Sequence, residues 1–296
     1  MNHEPVLLHE VLEGLDLHPG LTVLDGTLGD GGHSQAIGEV IGSTGRLIGL
    51  DADPEAIKRA EVNLINLPCT KIFRPGNFRD LETHLTALSL TTVDRALFDL
   101  GLSSPQLADS TRGFSFQTDG PLMMTLDGHV GEGDNAAKLV NQLPASELGD
   151  IIARYGEEGY ARRIAEGIVM ARRREPILTT SALVRIISDA VPKSYRFGRR
   201  HFATKTFQAL RIAVNDELRA LADGLTAVWS HLAVNGRLAV ISFHSLEARI
   251  VKEHFRQWAR SGEGSLINKH AIKPSRAEAI RNPRSRSATL RIILKK

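Results

Sequence analysis

The sequence predicts an α/β fold: a mostly parallel sheet with helices on both faces, interrupted by an inserted, mainly helical domain. Three observations carry that reading. Short apolar runs alternate with amphipathic stretches over the first hundred residues, a proline-punctuated helical stretch without strands follows, and the α/β pattern then resumes. Alternation of this kind marks parallel strands, because parallel neighbours need a long crossover, usually a helix, to return across the sheet.

The elements follow in order. Thr22–Asp25 is an apolar run ending in an acid, and a glycine-rich turn comes next. Residues 33–41 read as a helix closed by Gly42, and residues 46–51 as a second buried strand, again ending in an acid, Asp51. Pro54 suits the first turn of a helix that runs to about Leu64. Residues 70–73 are a third strand, residues 80–88 a third helix, and residues 95–100 a fourth strand that runs into Gly101-Leu-Ser-Ser-Pro105. Residues 106–133, rich in Gly, Asp and Thr, read as ordered loop, and residues 135–191 as helices broken at Pro144, Pro176 and Pro192. Val214, Leu218, Leu221, Leu225, Val228 and Leu232 repeat at three-to-four spacing, which predicts one amphipathic helix. Gly236 then turns the chain into a fifth strand at 237–242, a helix covers 245 to about 260, and 290–294 is a terminal strand. The expected α/β domain is therefore split, 1–103 and 213–296, around an insertion at 104–212.

Composition narrows the function classes. A hydrophobic fraction of 42% and a charged fraction of 24% are ordinary for a globular chain. No apolar run approaches the roughly 18 residues of a membrane span, and Met1-Asn-His-Glu-Pro5 lacks a signal-peptide pattern. The single cysteine, Cys69, excludes a disulfide framework and a cysteine-based zinc site, reads as a packing residue, and suits a cytoplasmic setting. No metal is expected. Net charge is only +3, but residues 154–211 hold 13 Lys/Arg against 5 Asp/Glu and residues 252–296 hold 12 against 3. Two basic stretches on an otherwise acidic chain point to a polyanion partner, nucleic acid.

The turn after the first strand carries the chemistry. It reads G-x-x-G-x-G-G, from Gly26 through Gly29 to Gly31 and Gly32. Parallel sheets bind ligands beyond the carboxyl ends of their strands, and Asp51 at the end of the second strand is placed to accept two ribose hydroxyls. Nicotinamide enzymes share that much. However, their G-x-G-x-x-G spacing is absent, and Asp25 would repel a pyrophosphate while suiting the ammonium of a methionine moiety. The terminal strand after a basic stretch suits the antiparallel final hairpin of a methyltransferase sheet. S-adenosylmethionine is therefore the expected cofactor, on a class I, Rossmann-like methyltransferase sheet.

Further stretches sharpen this. His3-Glu-Pro-Val-Leu7, the turn at 25–34, Leu100-Gly-Leu-Ser-Ser-Pro-Gln-Leu107, Arg112-Gly-Phe-Ser-Phe116, Asp119-Gly-Pro-Leu122, Tyr155-Gly-Glu-Glu158, Thr204-Lys-Thr-Phe-Gln-Ala-Leu-Arg211, Asn215-Asp-Glu-Leu218, Ile241-Ser-Phe-His-Ser-Leu-Glu247 and Asn282-Pro-Arg284 span almost the whole chain. In that order they resemble the bacterial small-subunit ribosomal RNA cytosine-N(4) methyltransferases of the RsmH (MraW) type. The resemblance implies that Gly31, Gly32 and His33 line the methionine end of the cofactor, that Asp51 holds the ribose, that Phe78 packs near the adenine, and that Asp99 and Gln106 complete the pocket. It implies methyl transfer to the exocyclic N(4) amine of a cytosine in 16S rRNA, with small-subunit rRNA or the small subunit as partner; a homo-oligomer is compatible with the sequence.

Asp99-Leu-Gly-Leu-Ser-Ser-Pro-Gln106 also resembles, more loosely, the acid-or-serine plus proline loop of amino-methyltransferases, which makes Asp99 or Ser104 the expected contact to the amine. Phe114, Phe116 and Phe243 are candidates to stack on the base, His201 and His244 to face phosphate, and residues 172–174, 199–200, Arg284 and Arg286 to bind it. One departure stands out. The family pattern Asp-Gly-Pro-Leu-Asp-Met-Arg-Met-Asp reads Asp-Gly-Pro-Leu-Met-Met-Thr-Leu-Asp at 119–127, replacing an acid by Met123 and an arginine by Thr125. The region 261–275 also looks shorter than in many relatives. Competing readings are a DNA or small-molecule amine methyltransferase and, from another class, a ribosome-assembly RNA-binding factor of weak activity.

Overall fold

The computed structural model describes residues 4–128, 135–198 and 200–296. The chain divides into two compact units, residues 1–101 with 218–296, and residues 102–217.

In the first unit, α1 (Leu8–Leu15) precedes β1 (Thr22–Asp25), α2 (Gly32–Ile41), β2 (Arg46–Asp51), α3 (Pro54–Asn63), β3 (Thr70–Pro75), α4 (Leu81–Ala87) and β4 (Val93–Asp99). The second unit holds α5 (Ser104–Ala108), α6 (Ala136–Gln142), α7 (Ala145–Gly156), α8 (Ala161–Arg172), α9 (Thr180–Ala190), α10 (Lys193–Arg196) and α11 (Thr204–Asn215). The chain re-enters the first unit with α12 (Glu217–His231), β5 (Leu232–Ser242), α13 (Ser245–Arg260), β6 (Gly264–Leu266), α14 (Arg276–Arg281) and β7 (Thr289–Lys295). The seven strands form one sheet in the order β3-β2-β1-β4-β5-β7-β6. β3 to β5 are mutually parallel, whereas β7 runs antiparallel to both β5 and β6.

Period-two burial explains why these runs become central strands. Val23, Leu47 and Leu97 enter one core with Val11, Leu15, Ile37 and Ile292. Their neighbours Leu24, Ile48, Ala96 and Phe98 enter the opposite core with Leu221, Leu225 and Val228. Cys69 is buried in the first of these cores, just ahead of β3, as a packing residue. The helical unit has a core of its own, including Leu148, Ile152, Ile164, Ile168, Leu183 and Leu210.

The structure corrects the sequence reading at three places. The run from Val214 to Leu232 is not one helix: Asp216 adopts a left-handed conformation (φ 49°) that ends α11, and α12 starts at Glu217. Val214 packs on the helical core and Leu221, Leu225 and Val228 on the sheet core, so the periodicity ran across a boundary. Leu232 already belongs to β5. The loop expected at 106–133 contains most of α5 and a short 3-10 turn, Ser110–Arg112.

α1, which composition did not announce, is held by two arginines at its C-terminal end. Buried Arg95 donates from Nε to Leu15 O, from Nη2 to Asp16 O at 3.1 Å and from Nη1 to Asp94 O at 2.9 Å. Arg237 Nη1 donates to Gly14 O at 2.9 Å. Cations at helix C-termini satisfy carbonyls that have no partner within the helix. Replacing Arg95 by Met should therefore cost about 2–3 kcal/mol by stranding buried carbonyls, read as a fall of several degrees in the thermal midpoint followed by circular dichroism.

Candidate active site

The glycine turn is sewn to both neighbours of β1. Gly26 N–H donates to Leu97 O of β4 at 2.9 Å, and Leu28 N–H to Leu50 O of β2 at 2.8 Å. Gly31 caps α2 at φ 87°, a conformation that strains any side chain, and a Cβ there would lie 2.7 Å from Leu64 Cδ1. At Gly26 the ring of Phe98 already occupies the space of a Cβ, so this glycine answers to the core beneath the turn.

Asp25 faces inward. It is 2% exposed; Ser34 Oγ donates to Oδ2 at 2.7 Å and Thr27 N–H to Oδ1 at 3.1 Å. Both oxygens thus already hold protein partners, and the carboxylate orders the turn. Burial pushes its pKa up. Asp51 differs. Oδ2 accepts from Gly29 N–H at 2.8 Å and Oδ1 from Asp53 N–H at 2.9 Å, leaving each oxygen a second acceptor position. Burial raises its pKa to about 6 despite those two bonds. A pair of adjacent acceptors at the tip of β2 fits the two hydroxyls of a ribose.

Asp99 ends β4. Its N–H donates to Thr27 Oγ1 at 2.6 Å, and its Oδ1 is buried without a hydrogen-bond partner. Its Oδ2 lies 3.5 Å from His33 Nδ1. Burial first, then the nearby acids Asp25 and Glu247, hold its pKa well above the ordinary carboxylate range. The His33 ring is 6% exposed, with Nε2 3.0 Å from Val6 O. A carbonyl only accepts, so this partner assigns the proton to Nε2 and leaves Nδ1 to face Asp99.

Phe78 opens a 3-10 turn just after Gly76, whose N–H donates to Asp51 O at 2.8 Å. Its ring stacks on Phe98 at 4.9 Å and lies against Gly224. Phe243, after β5, packs beside Gly101 in the loop that leaves Asp99. His244 caps α13 through Nδ1, which accepts from Glu247 N–H at 3.3 Å, and Glu247 Oε2 accepts in return from His244 N–H at 3.2 Å and from Phe243 N–H at 2.8 Å. This reciprocal cap commits His244 to the fold.

On the helical unit, Ser104 and Gln106 sit in the first turn of α5. Gln106 Oε1 accepts from Ser103 N–H at 3.0 Å, and Ser103 Oγ accepts from Gln106 N–H at 3.4 Å, a closed capping box. Phe114 is buried, and Phe116 stacks on His201 at 4.5 Å with an interplanar angle of 5°. The departing loop at 119–127 is held by its main chain. Arg112 Nη2 donates to Thr125 O and Leu126 O at 2.9 and 2.8 Å, Asn215 Nδ2 donates to Met124 O at 2.7 Å, and Asn215 Oδ1 accepts from Leu126 N–H at 2.8 Å. Arg112 and Asn215 stand in the motifs that carry the resemblance, but the hold of Asn215 on this loop joins residues 89 and 91 apart and leaves no local signal in the sequence.

Of the expected phosphate contacts, Arg173, Arg174, Arg200, Arg284 and Arg286 are exposed, whereas Arg172 donates to Val140 O at 2.7 Å and Arg199 lies outside the described residues. No helix among the described residues is long and apolar enough to cross a membrane.

Dinucleotide-binding sheets of similar order remain parallel throughout; reversal of β7 beside β5, with a glycine turn over β1, defines the fold of the class I methyltransferases. Within that class the chain belongs to the MraW methylase family, whose model matches residues 1–296. It is 44% identical to ribosomal RNA small subunit methyltransferase H of Syntrophotalea carbinolica, over 98% of this chain and 97% of that one. It is 46% identical to the protein of the same name from Nitratidesulfovibrio vulgaris, over 98% and 94%. Among solved structures, an rRNA methylase from Streptococcus thermophilus aligns over 100% of this chain and 98% of its own, with a TM-score of 0.47 at 10% identity.

The clamp on the departing loop is testable. Replacing Asn215 by Ala removes a donor and an acceptor worth about 1–2 kcal/mol together. Hydrogen exchange at the Leu126 amide, followed by NMR, should accelerate about tenfold.

Proposed function

We propose that this chain transfers a methyl group from S-adenosylmethionine to the exocyclic N(4) amine of a cytosine in small-subunit ribosomal RNA, acting in the cytoplasm. The observation that carries the reading is Asp99: a carboxylate of raised pKa at the tip of β4, beside the glycine turn, with one buried oxygen left without a partner.

The cofactor, when bound, supplies a methyl group activated on a positively charged sulfur. The residues present fit it. Asp51 accepts the ribose hydroxyls on the two positions its oxygens retain. The first-turn N–H groups of α2, at Gly32 and His33, suit a carboxylate, since helix N-termini leave such donors open. Gly31 supplies the left-handed turn into α2, and Phe78, next to the segment bonded to Asp51, takes the adenine role implied by the resemblance. For Ser104 and Gln106, on the helical unit, that resemblance alone carries the roles in amine and cofactor contact.

Cytosine N(4) is a weak nucleophile because its lone pair is delocalised into the ring. Asp99 Oδ1 accepts an N–H of the amine, turns the lone pair toward the methyl, and takes the proton as the new N–C bond forms and the S–C bond of the sulfonium breaks to leave a neutral thioether. A carboxylate of raised pKa is a stronger acceptor than an ordinary one. His33 Nδ1 lies 3.5 Å from the other oxygen. Phe243, beside Gly101, is the aromatic of the three candidates that flanks this loop. The exposed arginines hold RNA phosphate, giving affinity that falls steeply with salt. A second copy of the chain remains a candidate partner, and sedimentation of the purified protein tests it.

Mapping of N(4)-methylcytosine by mass spectrometry, in rRNA from cells with and without this protein, tests the reaction; an unchanged map overturns it. Replacing Asp99 by Asn should lower methyl transfer by about 10²–10⁴-fold while S-adenosylhomocysteine still binds. Loss of that binding would move Asp99 to the cofactor.

Asp51 adds a pH dependence. Its free-protein pKa of about 6 means that the ionised form, which accepts both hydroxyls, is complete only above that value. Calorimetry with S-adenosylhomocysteine should therefore show affinity falling as pH drops through 6. In Asp51→Asn the affinity should be weak and the pH dependence lost.

A further inference from the structure

Phe197 is 88% exposed, the most exposed large hydrophobic side chain among the described residues and the one aromatic among those that stand in solvent. A loose chain does not explain it. Two residues earlier Tyr195 points inward: its hydroxyl donates to Glu158 Oε2 at 2.6 Å, its ring stands edge-on to Tyr160 at 4.9 Å, and Glu158 itself is 4% exposed. Gly198 N–H then closes onto Tyr195 O at 3.3 Å. The turn is thus fastened on its inner side and shows a ring on its outer side.

The chain on either side of that ring carries charge of one sign. Between Asp189 and Asp216 the sequence holds six Lys/Arg and no acid, and Lys193 and Arg200 are exposed. A protein partner would call for a broader apolar patch with charge depleted at its centre. A single aromatic face set among cations fits a single-stranded nucleic acid, whose bases stack on the ring while its phosphates meet the charges.

We propose that Phe197 is a stacking platform for an unpaired base of the RNA substrate, an assignment that rests on the RNA-directed reading above. It adds a contact to the base, where the arginines supply contacts to phosphate only.

The test compares two fluorescein-labelled probes by anisotropy: a 12-nucleotide oligocytidylate, and an abasic oligomer with the same phosphates. The wild-type protein should prefer the base-bearing probe. Phe197→Ala should lose about tenfold in affinity for oligocytidylate, with binding to the abasic probe and the salt slope unchanged. Phe197→Trp should restore the preference. Arg200→Ala should weaken both probes alike and reduce the salt slope by about one. The platform is overturned if Phe197→Ala binds oligocytidylate like the wild type, if it weakens both probes equally, or if the wild type shows no preference. S-adenosylhomocysteine affinity and a thermal melt of the alanine variant check that it is folded. Methylation of rRNA by the wild type, measured in parallel, keeps the two readings apart. Normal methylation without a Phe197 effect sinks the platform alone. A Phe197-dependent preference without methylation supports the platform and sinks methyl transfer.

Discussion

Everything at the tip of the sheet depends on the buried carboxylate of Asp25. Through Ser34 it fixes the first turn of α2, and through Thr27 N–H it fixes the turn itself. Thr27 passes the constraint on, because its hydroxyl oxygen accepts the N–H of Asp99. One acid thereby sets the position of a helix N-terminus and of the acid that ends β4. Burying it costs free energy, as its raised pKa records, and two hydroxyl-bearing neighbours offset that cost. Preorganisation is the return: groups that must meet a ligand are placed before it arrives.

The same arrangement puts like charges close together. Asp25 and Glu247 both raise the pKa of Asp99, and Asp25 also raises that of Asp51. A site crowded with carboxylates and short of buried cations favours a ligand that brings positive charge, whereas a pyrophosphate would add to the repulsion. His33 lies against Asp99, and its Nε2 is already committed to Val6 O. That carbonyl belongs to the segment leading into α1, where Leu7 N–H donates to Glu278 Oε1 at 2.9 Å. The N-terminal segment, which has no strand to belong to, thus acts as a strut behind the His33–Asp99 pair.

How much of this was legible follows from the range of each signal. The strands other than the three-residue β6, their acids and the glycine turn were readable because apolar runs, chain reversals and helix starts are local. Asp51 was placed correctly at the tip of β2 for the same reason. Asp25 was legible as an acid after a strand, but not as a buried one: its partners Thr27 and Ser34 are near in sequence, yet only the fold turns the carboxylate inward. The single helix read across Val214–Leu232 failed because two helices on different cores kept one phase through Asp216. His244 looked like a phosphate contact, although His244-Ser-Leu-Glu247 also has the spacing of a capping box, which is the role it takes. Contacts such as Arg95 with the end of α1 join residues 79 and 80 apart and leave no local trace.

The loop at 119–127 shows why a departure from a family pattern need not break a structure. Its shape is specified from outside, by Arg112 and Asn215 reading the carbonyls of Met124, Thr125 and Leu126 and the N–H of Leu126. Main-chain atoms are present whatever side chain they carry, so the exchange of an acid for Met123 and an arginine for Thr125 leaves the clamp intact. The left-handed residue of the loop is Met124 (φ 59°), which keeps the family's residue type, and its side chain is buried in the helical core. What the exchange removes is one pair of opposite charges, neutral in sum. It leaves a half-buried thioether and hydroxyl where ions would have had to be desolvated or exposed. The consequence falls on what those two side chains touch beyond the loop.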